Sequence, residues 1–269
     1  MIPADFPFDP YPIPVAIGFL LALVVLELFM RKIHAPKGLA TDYEIAIVIA
    51  GIFGFIFAIL FQNFYDFIES PSTYKWTWAM TFLGGLIGGV GTFFLEYLFY
   101  FRKKRPGTLD KMVAVGGAGI PLAHAFGRIG CILDGCCYGS TIPEDSPFYW
   151  MGVEFRTTPG RKVWPTQIFE CVFLFILATV LLILLFKKLS KLTMPIYMIS
   201  YGIFRFLVEF LRGDHRGNLI PGLSPSQFWS LLLFVGGVVY LIFLFVKKDT
   251  KVIPYPEEKK EETQKPVKE

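Results

Sequence analysis

Residues 124–140 read HAFGRIGCILDGCCYGS. The stretch begins inside a long apolar run, yet it carries His124, Arg128 and Asp134, four glycines and three of the chain's four cysteines. An ionisable side chain in hydrocarbon costs roughly 2.5–3.5 kcal/mol on insertion scales, so each one needs a partner or a function. What Arg128 is doing depends on what the flanking apolar runs are.

Those runs set the class. The 269 residues are 54% hydrophobic and 17% aromatic, whereas soluble domains are about 45–50% apolar. Seven segments approach the roughly 20 residues that span a bilayer: about 13–30, 44–64, 78–100, 112–133, 166–186, 194–211 and 226–246. The reading is an all-α membrane protein of seven transmembrane helices, with one polytopic catalytic domain over 1–246. A charged tail, 247–269, follows and is expected to be disordered and cytoplasmic. The fourth span is rich in glycine and interrupted by Pro121. The leader MIPADFPFDPYPIP is acidic and proline-rich without a basic n-region, so the first span does not read as a signal peptide. The net charge of +4 implies no nucleic-acid partner, because the basic residues cluster beside the apolar runs.

Those clusters give an orientation. RKIHAPK follows the first span, RKKRPGTLDK the third, KKLSK the fifth and KKDTK the seventh. The short loop 65–77 holds only Lys75. The positive-inside rule puts the N-terminus outside and the C-terminus in the cytoplasm. Asp134 to Ser140 then emerge at the outer face, opening the long loop 134–164 between spans four and five. Pro143, Pro147 and Pro159 break regular structure there, and MGVEF at 151–155 reads as a short strand.

The candidate charges within the spans are Glu27, Glu96, Arg128, Glu170, Arg205 and Glu209. Glu27 and Glu96 lie near cytoplasmic ends and are expected to pair with neighbouring basic residues or meet water. In the sixth span Tyr201, Arg205, Glu209 and Arg212 recur at i, i+4, i+8 and i+11, one helical face. Two readings are open: an Arg205–Glu209 pair that joins helices, or the wall of a polar cavity for a lipid head group. Arginine suits phosphate because its planar fork makes two parallel charge-assisted bonds. His124 and Arg128 are also i, i+4. His124 reads either as a satisfied interior imidazole or as part of that cavity, and Arg128 either as a counter-ion to Glu170 or Glu209 or as a phosphate ligand. Gly127 and Gly130 permit close helix packing beside it. Cys131, Cys136 and Cys137 have C-x4-C-C spacing, which is not that of a familiar zinc site. No metal is expected, and the thiols, like Cys171, are expected to pack as small hydrophobes.

Four motifs occur in order: GGLIGG at 84–89, GRIG at 127–130, PTQIFE at 165–170 and YGIFRFLVEFLRGD at 201–214. Together they resemble the prolipoprotein diacylglyceryl transferase family of the bacterial plasma (inner) membrane. The resemblance implies transfer of a diacylglyceryl group from phosphatidylglycerol, a membrane lipid, to the lipobox cysteine thiol of a prolipoprotein signal peptide. Glycerol phosphate leaves, and no cofactor is implied. It makes Arg128 the essential arginine and puts Arg205, Glu209 and Tyr201 in its pocket. Gly127, Gly130, Gly84, Gly85, Gln167 and Glu170 are then expected to bind substrate. Two departures stand out. Leu83 occupies the place of a histidine before GGLIGG, and Cys131 the place of an asparagine after GRIG. His124, one turn before Arg128, is the imidazole left to act as base. The departures leave open a related transferase with another acceptor, or a non-catalytic lipid-binding protein on the same scaffold.

Overall fold

The computed structural model describes residues 10–69, 71–78, 80–187, 189–212 and 223–255. Among them, seven helices are long and apolar enough to cross a membrane, and the chain is a multi-pass, all-α membrane protein. We label them α1 (Pro12–Lys32), α2 (Leu39–Glu69), α3 (Phe82–Glu96), α4 (Leu109–Asp134), α5 (Thr166–Phe186), α6 (Thr193–Val208) and α7 (Pro225–Val246). A π turn over Tyr97–Phe101 and a last turn at Arg102–Lys104 prolong α3, and single 3-10 turns at Ser190–Leu192 and Glu209–Leu211 flank α6.

The helices outrun their apolar cores. α2 starts at Leu39, five residues before the expected boundary, and takes in the acidic TDYE segment at 41–44, with Asp42 in its first turn. Asp42 sits where the helix dipole favours negative charge and accepts a 2.9 Å bond from Arg105 Nε. Pro121 does not interrupt α4, which runs unbroken over 26 residues. The expected strand at 151–155 is absent from the described residues. Only isolated bridges occur, Thr141 with Val163 and Val153 with Val163, so the loop 134–164 is held as turns.

Small residues bring the helices close. A Cβ on Gly117 of α4 would stand 2.3 Å from Met194 N on α6. One on Gly84 of α3 would stand 2.5 Å from Phe61 Cβ of α2. α4 is the central helix and packs against α1, α5 and α6. Large apolar side chains are exposed on the outside of the bundle, as on α2, where Ile52, Phe53, Phe55 and Ile56 are exposed. At the far end of α4 from Asp134, Lys191 Nζ bridges Asp249 at 2.7 Å and Asp110 at 3.1 Å. The described part of the expected tail docks beside it: Val252 is buried and Tyr255 N donates to Ile33 O at 2.8 Å. Residues 256–269 lie outside the described residues.

Candidate functional site

The PTQIFE segment starts α5. Pro165 ends the preceding loop, and Thr166, Gln167 and Glu170 lie on one buried face of the first turns. Thr166 Oγ1 donates to Cys137 O at 2.9 Å, so the start of α5 is fastened to the end of α4. Glu170 is 1% exposed and near a helix N-terminus, where partial positive charge favours a carboxylate.

One oxygen of Glu170 gathers three helices. Oε1 accepts from Arg128 Nη2 of α4 at 2.9 Å and from Tyr201 Oη of α6 at 2.8 Å. His124 Nε2 lies 3.5 Å from the same oxygen, with its ring edge-on to Tyr201 at 5.3 Å between centroids. The i, i+4 spacing of His124 and Arg128 therefore does put both on one face, and the counter-ion of Arg128 is Glu170.

A second pair extends the polar face along α6. Arg205 Nη2 lies 2.7 Å from Glu209 Oε2 and donates to Ser226 Oγ at 3.0 Å. Ser224 Oγ donates to Glu209 Oε1 at 3.1 Å and caps α7, accepting from Gln227 N at 3.2 Å. Ser224 and Ser226 were not foreseen. Their signal was the SPSQ run ahead of an apolar segment, a helix start whose cap doubles as a ligand to Glu209.

Several polar atoms in this region have no hydrogen-bond partner among the described residues: Arg128 Nε, Arg205 Nη1, and both Nε2 and Oε1 of Gln167. A buried polar group left so costs about 1–3 kcal/mol. Two guanidinium edges and one amide held this way on adjoining helices equip the site for a polar, anionic ligand. Space exists beside Arg128, since a Cβ on Gly127 would meet nothing within 4 Å. Gly130 instead lets Tyr11 approach, whose ring would stand 3.0 Å from a Cβ there. Burial first, then the thiols of Cys131, Cys136 and Cys137, push the Tyr11 phenol up to about 12.

Other sequence candidates lie elsewhere. Gly84 and Gly85 are set against Ala58 and its neighbours on α2, where they bring α3 close. Glu27 pairs with Arg31 at 2.6 Å, while Glu96 Oε2 has no hydrogen-bond partner among the described residues. Cys171 packs inward, its thiol 3.6 Å from Ala125 O. Gly213, Asp214 and His215 lie outside the described residues. The other three thiols come together. The Sγ atoms of Cys131, Cys136 and Cys137 all lie within 4.8 Å of one another. Sequence spacing hid this, because it depends on left-handed backbone at Gly135 and Cys137, φ +76° and +63°.

A family model described as prolipoprotein diacylglyceryl transferase matches residues 2–243. The phosphatidylglycerol–prolipoprotein diacylglyceryl transferase of Clostridium tetani is 35% identical over 234 residues, 85% of this chain and 90% of that protein. A second enzyme of that name from Clostridium perfringens is 33% identical, covering 82% of this chain and 88% of its own length. The one from Bordetella bronchiseptica is 30% identical over 87% of this chain and 89% of its own.

Proposed function

The chain belongs to the prolipoprotein diacylglyceryl transferase family, and on that premise we propose that it moves the diacylglyceryl group of phosphatidylglycerol onto a lipobox cysteine thiol. The observation that carries the reading is Arg128, held by Glu170 through Nη2 at 2.9 Å with Nε left without a partner among the described residues. One edge of the guanidinium is fixed, and the side chain is only 16% exposed. A phosphate ester beside it is bound, and the negative charge that grows on its oxygen as the bond breaks is stabilised most strongly where water is excluded.

In this mechanism the thiolate sulfur attacks the glyceryl carbon bonded to the phosphate oxygen. The C–S bond forms, the C–O bond breaks, and its electron pair leaves on glycerol phosphate. Arg128 binds the phosphate and Arg205, anchored by Glu209 and Ser226, adds a second positive charge. Tyr201 and Glu170 orient Arg128. Gln167, one turn before Glu170, supplies amide hydrogen bonds to the glycerol head, and Gly127 leaves room for it. Gly130, Gly84 and Gly85 serve by letting neighbouring helices close around the lipid. His124 accepts the proton of the incoming thiol. The enzyme acts in the bacterial plasma (inner) membrane with Asp134 and the loop after it at the outer face, where a translocated signal peptide arrives.

The test is reconstitution of the full chain in phosphatidylglycerol vesicles with a lipobox peptide, read by mass spectrometry. The expected product is a peptide heavier by one diacylglyceryl group, in thioether linkage. Phosphatidylglycerol consumption with an unmodified peptide would assign a different acceptor, and lipid binding without turnover would refute transfer.

A further inference from the structure

The transfer reaction leaves the three clustered cysteines without a role. Their sulfurs come from two sides of a helix end. Cys131 is buried in the last turn of α4, and Gly135 closes that turn with its N–H on Cys131 O at 3.0 Å. Cys136 N also reaches Cys131 O, at 3.1 Å. The chain then turns back through Cys137 at φ +63°, a region that residues with a Cβ enter rarely. Two side chains hold this geometry from outside: Thr157 Oγ1 donates to Gly135 O, and Thr166 Oγ1 to Cys137 O.

All three Sγ atoms lie within 4.8 Å of one another. Sulfurs bound to one zinc ion at about 2.3 Å stand about 3.8–4.0 Å apart at tetrahedral to trigonal angles. The cluster therefore meets the ion's dimensions with shifts of under about 1 Å. Three thiolates and Zn2+ leave one net negative charge, and Arg128 Nη1 lies 3.9 Å from Cys131 Sγ. Zinc with three protein ligands keeps a fourth position for an outside ligand, the pattern of catalytic sites.

We propose that Cys131, Cys136 and Cys137 form a three-sulfur Zn2+ site beside Arg128, whose fourth ligand is the acceptor thiol of the peptide. The second half rests on the transfer reaction proposed above. Loading the site releases three thiol protons to solvent as three Zn–S bonds form. The incoming thiol binds as thiolate, its proton passing to His124. Its sulfur then sits within reach of the lipid carbon whose phosphate Arg128 holds. On transfer the sulfur becomes a thioether, which is a weaker ligand, and the product leaves. Cys131 would thus be a ligand and not the packing hydrophobe that spacing alone implied.

The experiment uses the full chain in detergent, purified under reductant, with zinc content and zinc X-ray absorption as readouts and Cd2+ as an ultraviolet probe. The expected result is one zinc per chain with three sulfur neighbours, and a sulfur-to-cadmium charge-transfer band. Adding a lipobox peptide raises the sulfur count to four, whereas the same peptide with serine for cysteine does not. C136S/C137S loses the band. Because a variant can misfold, the absorption spectrum of the unaltered protein decides independently. Zinc far below one per chain, no sulfur neighbours, or a disulfide among the three thiols trapped directly from membranes would overturn the site. A sulfur count that stays at three with peptide present would overturn the role of the fourth ligand. These readouts need no turnover, so zinc and peptide binding without thioether formation would instead refute the transfer reaction.

Discussion

Glu170 puts three groups on a single oxygen, and its charge is what lets Arg128 stay in the bundle. Removing one partner of a buried ion pair costs about 3–5 kcal/mol because the other charge is left uncompensated. Glu170→Gln is therefore expected to unfold in detergent several degrees below the unaltered protein and to lose most of its transfer activity, as followed by thermal unfolding and thioether yield. Arg128→Lys separates charge from shape. Lysine keeps the cation but not the planar fork, and losing one such transition-state contact lowers kcat by about 10²–10³. We expect that loss with normal insertion and an unchanged unfolding temperature, and a lysine variant within a few-fold of normal turnover would exclude the clamp. His124→Gln is expected to lose activity near neutral pH and regain it in alkali, where the acceptor thiol, of ordinary pKa about 8.5, ionises unaided. A flat loss across pH would leave His124 a structural partner of Glu170. At this scale the sequence was informative wherever a charge sat in an apolar run. His124, Arg128, Glu170, Arg205 and Glu209 all stood out that way. The pairing of Arg128 with Glu170 over Glu209 was not decidable, since it depends on how α5 and α6 are rotated about α4.

The site depends on helices that come closer than most side chains allow. Gly117 is the clearest case, with a Cβ position 2.3 Å from Met194 N. Gly117→Val must push α4 and α6 apart, and overpacking of this kind costs about 1–3 kcal/mol. It should also separate Arg128 from Tyr201, so both stability and transfer are expected to fall, the second more steeply. Gly127→Ala, which meets nothing within 4 Å, is the control expected to retain its unfolding temperature. The length of the apolar runs located the seven long helices among the described residues, but it misjudged the ends. The second span was bounded at 44 because the residues before it are polar, although an acidic residue such as Asp42 in the first turn is what a helix dipole favours. The strand expected in MGVEF failed for a different reason: Gly152 and the nearby prolines permit only single bridges to Val163. The sulfur cluster was invisible to spacing because two left-handed residues, Gly135 and Cys137, set it.

At the scale of the whole molecule, seven spans and their count followed directly from composition and length. Which way they point rests on Lys and Arg near the ends of the first, third, fifth and seventh spans. A cysteine replacing Glu144 in the loop after α4 is expected to react with a membrane-impermeant maleimide in intact spheroplasts, in a background without the native thiols. One replacing Lys103 is expected to react only after lysis, and the reverse pattern would invert the topology. The central claim is that Arg128 holds a phosphate that departs as the acceptor sulfur takes its place on the lipid. Phosphorus release and thioether formation must then be one event. The direct measurement is the ratio of glycerol phosphate released to thioether peptide formed in reconstituted vesicles, with a cysteine peptide and with its serine counterpart. We predict a ratio of about one, by the balance of the bond formed against the bond broken, and no release with the serine peptide. Release of glycerol phosphate independent of the peptide thiol would contradict the account.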